Sequence, residues 1–295
     1  MKFAGIIAEY DPFHNGHAWQ LAQAKALGAE RVAVAMSCSL VQRGALPLLP
    51  EAVRTRSALT CGADLVFALP APCACAGAEA FARAGVALLA AAGCDGLVFG
   101  AETPDAALLM EAAELLDSGS YRAALKAQLA GGARSFAAAR QAAAAQLASD
   151  ERVAALLDKP NNNLAVEYCR AIRSLAPRME AYPLPRQGAD HGEALHSAHG
   201  QFASASALRK LWAEGGADAV APYVPEAVFP LYQEAYAAGQ YTDFSAAGRC
   251  ELALLRSACR DKAPFADIRG VSEGLEHRLE AAVRTSTTYD ELLDA

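Results

Sequence analysis

Lys2-Phe3-Ala4-Gly5-Ile6-Ile7-Ala8-Glu9-Tyr10-Asp11-Pro12-Phe13-His14-Asn15-Gly16-His17 is the stretch that decides the fold. Lys2 to Ala8 is a continuous β-prone run, as expected of a strand buried on both faces. Glu9 to Gly16 is rich in turn formers, and an amphipathic helical spacing runs from His17 to about Leu27. A strand that ends in a turn and delivers His-x-Gly-His to a helix N-terminus sets two imidazoles and free backbone N–H groups where a phosphate chain can sit. Gly16 lets a nucleotide approach the backbone closely. His14 and His17 can donate hydrogen bonds to phosphate oxygens and stabilise charge on a departing pyrophosphate. Two polar residues merely capping a helix is the competing account, and the strand before and helix after weigh against it.

The same cadence recurs downstream. Arg31 to Met36, Asp64 to Leu69 and Gly96 to Phe99 read as short buried strands, separated by helical stretches around 50–61 and 78–92. Strands alternating with helices of this length predict right-handed βαβ units, a parallel sheet covered on both faces, and a ligand at the C-terminal strand ends. Asp105 to Leu157 is Ala-rich with helical spacing and predicts an insertion of two or three helices. Asn161-Asn162-Asn163 is expected to break the helical pattern after Pro160, before a helix from Leu164 to Leu175 and a strand from Arg178 to Leu184. Gly188 to Gly200 reads as a loop, and Phe202 to Glu214 as a further helix start. Beyond Gly215-Gly216 no convincing strand remains, so the expected organisation is a catalytic domain over 1–215, with its helical insertion at about 105–158, and a helical C-terminal region over 216–295.

Composition narrows the function classes. The 295 residues are 54% hydrophobic, but Ala supplies much of this and favours helix without adding much apolar area. No run of about 18 apolar residues lacks a charge or breaker, and Met1-Lys2 leads into a short apolar run rather than a signal pattern, so no membrane association is expected and the expected address is cytoplasmic. The eight cysteines include no C-x-x-C pair, and most lie in apolar or Ala-rich surroundings, so they read as buried free thiols. A net charge of −7 advertises no global affinity for nucleic acid, so an RNA substrate needs a local basic patch.

A second chemistry-bearing segment is Ser204-Ala205-Ser206-Ala207-Leu208-Arg209. Hydroxyls and N–H groups in a first helical turn can hold a phosphate, and Arg209, one turn on, can reach the same anion. Ser-x-Ser alone is simply a good N-cap; paired with His-x-Gly-His upstream it becomes half of a constellation.

Together the two segments resemble the nucleotidyltransferase superfamily with a His-x-Gly-His motif after its first strand and a Ser-Ser/Thr-x-x-Arg-like motif late in the domain. A narrower resemblance rests on Ala8 to His17, Met36-Ser37 with Val41-Gln42-Arg43-Gly44, Ala63-Asp64-Leu65-Val66, Phe99-Gly100-Ala101-Glu102, Pro160-Asn161-Asn162, Ala203 to Arg209, and Gly274-Leu275-Glu276. These islands, in order along nearly the whole chain, are similar to the bacterial tRNA(Met) cytidine acetate ligase family. The resemblance implies a Rossmann-like α/β fold with a parallel sheet of the nucleotidyltransferase type, and a two-step reaction. Acetate attacks the α-phosphate of ATP to give acetyl-adenylate and pyrophosphate; the acetyl group then passes to N4 of the wobble cytidine in elongator tRNA(Met). By the same resemblance His14, His17, Ser204, Ser206 and Arg209 are the catalytic candidates. The ATP site would comprise Ile7, Ala8, Glu9, Tyr10, Asp11, Pro12, Phe13, His14, Asn15, Gly16, His17, Ala18, Trp19 and Gln20, with Gly100, Asn161, Asn162 and Arg186. A magnesium ion is expected on the triphosphate, with no protein metal ligand assigned. Asp11 stands where the family has Asn, and Ser37-Cys38-Ser39 where it has Ser-Gly-Asn.

Two other readings stay open: a different adenylyltransferase on the same fold, and a nucleotide-binding RNA adaptor that has lost catalysis through the changes at Asp11 and Cys38-Ser39. His191, His196 and His199 match no trusted zinc spacing. Arg54 and Arg56 are divided between phosphate or RNA contact and plain helix surface, and Lys126, Arg134 and Arg140 are further candidates for an RNA track.

Overall fold

In the computed structural model the β-prone run Phe3–Ala8 forms β1, and every second side chain serves a different core: Ala4 and Ile6 on one face, Phe3 and Ile7 on the other. The structure describes residues 1–132, 135–186, 195–197, 200–260, 265, 266, 268, 271 and 274–295. Arg134, His191 and His199 lie outside them.

The chain continues through α1 (Asn15–Ala26), β2 (Arg31–Ser37), α2 (Glu51–Thr60), β3 (Leu65–Leu69), a short α3 (Ala71–Ala74), α4 (Ala78–Ala91) and β4 (Gly96–Ala101). After an excursion through α5 (Ala106–Asp117), α6 (Gly119–Ala130), α7 (Phe136–Leu147) and α8 (Glu151–Leu156), α9 (Pro160–Leu175) leads to β5 (Glu180–Pro185). All five strands pair in parallel, in the order β3-β2-β1-β4-β5. The order reverses between β1 and β4, where a parallel sheet of this kind opens a crevice at its carboxyl edge. The expected α/β sheet is therefore present, with each strand within about two residues of its sequence reading.

Two differences from expectation have local causes. The insertion holds four helices, because Ser118, Ser135 and Asp150 each supply an N-cap acceptor and divide the Ala-rich run. Asn161-Asn162-Asn163 does not break a helix but begins one: Pro160 suits the first helical position, and the Glu102 carboxylate accepts the backbone N–H of Asn161 at 3.2 Å and of Asn162 at 2.7 Å.

α4, α5 and α9 cover one face of the sheet. There α4 lies so close on β1 that a Cβ at Gly85 would sit 2.5 Å from the Ile7 side chain. On the other face are α1, α2, α10 (Ala205–Val220) and α11 (Phe229–Ala237), around a core that includes Trp212 and Tyr232. α10 is preceded by the hairpin of β6 (Leu195–Ser197) and β7 (Gly200–Phe202), and kinks at Gly216, whose φ of 67° only glycine adopts cheaply. The compact unit runs from Met1 to Gln240, so the boundary read at 215 falls inside α10. A second unit, Tyr241–Ala295, packs α12 (Phe244–Ala258), α13 (Leu275–Thr285) and α14 (Tyr289–Asp294) around Leu252, Phe265, Val283 and Leu292. Among the described residues no helix is long and apolar enough to cross a membrane; all eight cysteines are free thiols, but only Cys94, Cys169 and Cys259 are buried as expected, Cys250 being exposed and the others half-buried.

Candidate active site

Beyond β1 the chain is pinned in a conformation it would not choose alone. Tyr10 has a φ of 50°, in the left-handed region that non-glycine residues enter at a cost of about 1–3 kcal/mol. Hydrogen bonds from three elements over-determine the loop. Arg54 Nη1 donates to the Glu9 carbonyl at 2.8 Å, Arg209 Nη1 to the Asp11 carbonyl at 2.7 Å, and the Tyr232 hydroxyl to the Phe13 carbonyl at 2.6 Å. The Leu48 amide adds a bond to Asp11 Oδ1 at 2.6 Å.

Arg54, expected either at a phosphate or on an exposed helix face, does neither. It is fully buried and donates to the carbonyls of Leu49 (3.0 Å), Ser37 (2.7 Å) and Cys38 besides that of Glu9, so its fork of donors fixes the loops after β1 and β2 together. Arg56 is exposed beside Glu234, at 3.7 Å. Arg140 turns inward to the buried carboxylate of Glu167 at 2.5 Å, whereas Lys126 remains on the surface.

The two histidines begin α1 as a capping box. The Gly16 amide donates to His14 Nδ1 at 3.0 Å and the His14 amide to His17 Nδ1 at 3.3 Å, while the rings stack with centroids 3.7 Å apart. A Cβ on Gly16 would lie 2.8 Å from the His14 ring, so glycine is what lets the imidazole fold back over the helix. Burial pushes His14 down to about 4, with the Arg186 charge adding to it; burial, His14 and Arg186 likewise hold His17 well below the ordinary imidazole value. Both rings are neutral near pH 7. With Nδ1 accepting in each, the ring proton sits on Nε2, and the pair presents two N–H donors.

These donors line a cleft of about 400 Å³ at the carboxyl ends of β1 and β4. The N-termini of α1, α9 and α10 meet at it through Gly16, Asn161 and Ala205, and neither α1 nor α10 has an acidic residue in its first turn. Three helix dipoles thus aim their positive ends at the cleft, which favours an anion there although the chain as a whole is acidic. Ser204 caps α10 and shares a 3.0 Å hydrogen bond with Ser206. Glu9 and Asp11 are the carboxylates among the lining residues, and burial raises both above the ordinary carboxylate range.

Of the residues expected at the site, Ile7 to Asp11, His14, Gly16, His17, Trp19, Gln20, Gly100, Asn161, Arg186 and Ser204 line this cleft. Pro12 and Phe13 pack behind it. Asn15 and Ala18 face a separate depression beside Pro222, whose carbonyl accepts from the Asn15 amide at 3.3 Å. Asn162 is buried and exchanges hydrogen bonds with Thr103. Ser206 and Arg209 stand one step back, Ser206 against Ser204 and Arg209 in an ion pair with Asp11 at 3.1 Å. That pair neutralises the charge placed by Asp11 beside the anion site. Cys38 Sγ turns away to the Leu69 carbonyl at 3.2 Å.

Sequence reading missed the apolar wall: Phe81 from α4, Phe99 from β4, and Leu164 and Tyr168 from α9, with the Phe99 and Tyr168 rings 5.4 Å apart. Asn161, Leu164 and Tyr168 follow the i, i+3, i+7 spacing of one helix face, which is the signal that could have revealed it.

The family model of the HIGH nucleotidyl transferases matches residues 1–295. A tRNA(Met) cytidine acetate ligase of Syntrophotalea carbinolica is 37% identical over 298 residues, covering 100% of this chain and 70% of that one. The chain belongs to the tRNA(Met) cytidine acetate ligase family. The Bacillus subtilis ligase is 31% identical over 301 residues, covering 100% of this chain and 71% of its own. Two Thermotoga maritima TmcAL crystal structures superpose over 100% of this chain and 70% of theirs. The one bound with alpha-thio ATP has a TM-score of 0.88 at 29% identity, the apo form 0.91 at 30%. The sheet and the cleft at its carboxyl edge thus belong to a ligase family with a structure bound to an ATP analogue.

Proposed function

We infer that the chain is an ATP-dependent tRNA acetate ligase, which activates acetate as acetyl-adenylate and acetylates N4 of the wobble cytidine in elongator tRNA(Met). The observation that carries the reading is the two-histidine capping box lining the cleft: two imidazoles, fixed through Nδ1 by backbone bonds, each left with an Nε2–H to donate. In the first step an acetate oxygen attacks the α-phosphorus of ATP and pyrophosphate leaves with the electron pair of the broken P–O bond. This needs positioning and charge stabilisation rather than a covalent nucleophile, and preorganised donors provide it. His14, His17, the first turn of α10 and Arg186 are the groups we assign to the phosphates; Asn161 and the aromatic wall remain for the nucleoside and the acceptor. The described residues contain no cluster of three metal-binding side chains. Magnesium fits here only as an ion carried by the triphosphate, where it would offset phosphate charge.

The test is pyrophosphate release from ATP, with and without acetate and elongator tRNA(Met), followed by mass analysis of the tRNA nucleosides. Acetate-dependent release with N4-acetylcytidine in the tRNA is expected. ATP binding without acetate-dependent chemistry would overturn the reading in favour of an adaptor.

A further inference from the structure

The cleft is well supplied with donors and poor in groups that can accept a proton. His14 and His17 have committed Nδ1 to backbone amides and carry their proton on Nε2, so both are donors. Burial pushes the Tyr168 phenol far up, which leaves it protonated. Asp11 has both oxygens engaged, Oδ1 with the Leu48 amide at 2.6 Å and Oδ2 with Arg209 at 3.1 Å. Glu9 differs. The Gln42 amide holds its Oε1 at 2.6 Å, and among the described residues nothing donates to its Oε2. The carboxylate is thus fixed by one oxygen, with the other uncommitted, and it lines the cleft with Phe81, Phe99, Leu164 and Tyr168.

An exocyclic amine of cytosine is a weak nucleophile because its lone pair is shared with the ring. Attack on an acyl carbon leaves a cationic nitrogen unless a base removes a proton as the bond forms. We propose that Glu9 is that base, accepting through its free oxygen the N4 proton of the cytosine seated against the aromatic wall. The proposal rests on the function inferred above and adds the second step. The N4–C bond forms, the bond from the acetyl carbon to the adenylate oxygen breaks, AMP leaves with that electron pair, and the N4 proton passes to Glu9 and then to solvent. A carboxylate is also the acceptor that the N4 amino group of cytosine pairs with by hydrogen-bond complementarity. Burial, opposed by the Gln42 amide, Arg209 and Arg54 and reinforced by Asp11, raises the pKa of Glu9 above its ordinary value and so makes it a stronger base. Those charges and the Tyr168 phenol are the groups facing it.

The test separates the steps in Glu9→Gln, whose amide oxygen still accepts from Gln42. Acetate-dependent ATP–pyrophosphate exchange reports the first step, and single-turnover acetyl transfer to tRNA the second. Transfer is expected to fall by about 10²–10⁴-fold beyond any fall in exchange, the range for loss of a general base. As a second measurement, the wild-type transfer rate should rise with pH through one ionisation above the ordinary carboxylate range, and exchange should not follow it. Unchanged transfer in the variant, a parallel fall in exchange, or a wild-type transfer rate without that ionisation overturns the proposal. Wild-type protein with no acetate-dependent exchange overturns the parent reading and this one together.

Discussion

Arg209 and Asp11, 198 residues apart in sequence, form an ion pair of 3.1 Å in which the partners are unequally exposed: the Asp11 side chain keeps 4% of its surface and the Arg209 side chain 33%. Removal of one partner therefore does not mirror removal of the other.

Arg209→Ala strands a buried carboxylate and is expected to cost on the order of 3 kcal/mol at neutral pH. Asp11→Asn leaves an arginine that can turn to water, and its amide oxygen still accepts from Leu48, so about 1 kcal/mol or less is expected. The pH dependence follows from the sign of the shift. Asp11 titrates higher in the fold than in the unfolded chain, so its ionised form opposes folding. The cost of Arg209→Ala is full above the raised folded value and shrinks as acid protonates Asp11. Urea unfolding at pH 7 and pH 4 measures both effects.

His14→Asn separates the cap from the chemistry. Asparagine is a strong N-cap, so stability should stay within about 1 kcal/mol of wild type. The Nε2 donor is lost, and acetate-dependent pyrophosphate formation should fall by about 10²-fold or more. His14→Ala is expected to lose both; thermal melts beside turnover assays distinguish the variants.

The same histidines make the fold acid-labile. Their values are depressed in the folded state, so the unfolded chain binds the extra protons once pH falls below the ordinary imidazole value. Their contribution is present in full above about pH 6.5. It declines by up to about 1.4 kcal/mol per pH unit per histidine as pH falls towards the folded values. Denaturant unfolding between pH 7 and pH 4 reads the slope, and His14→Asn should flatten it.

Arg54→Met should be the most damaging of these substitutions, because it leaves the carbonyls of Glu9, Ser37, Cys38 and Leu49 without their donor. A loss of about 3–5 kcal/mol is expected, with soluble yield and unfolding midpoint as readouts. Arg56→Ala, on the same helix but exposed, should stay within about 0.5 kcal/mol.

The sheet was legible because each strand is a short apolar run closed by turn residues, and His14 and His17 were legible because the run before them fixes where the helix starts. Arg54 was not, since a helical arginine in sequence gives no sign of whether it points to water or to four carbonyls brought from two loops. Asn161 to Asn163 misled because three asparagines disfavour a helix unless something outside it, here Glu102, satisfies the first turn. Phe81 and Tyr168 were not singled out at all, because nothing in a helical stretch separates an aromatic that lines a cleft from one that only fills the core. They are core along most of their surface, and only the sheet order places their remaining edge at the strand ends.

The β4–β5 pairing has a consequence for how the molecule is made. Gly96 pairs with Glu180 across the whole helical excursion, and the cleft then waits for Ser204 and Arg209 to meet the loop at Asp11 and His14. Contacts of such long separation pay their loop-closure entropy before any return. A ribosome-bound chain ending before β5 therefore has its first four strands and both histidines in place but no site, and competence to bind an anion arrives only as the last helices of the first unit emerge.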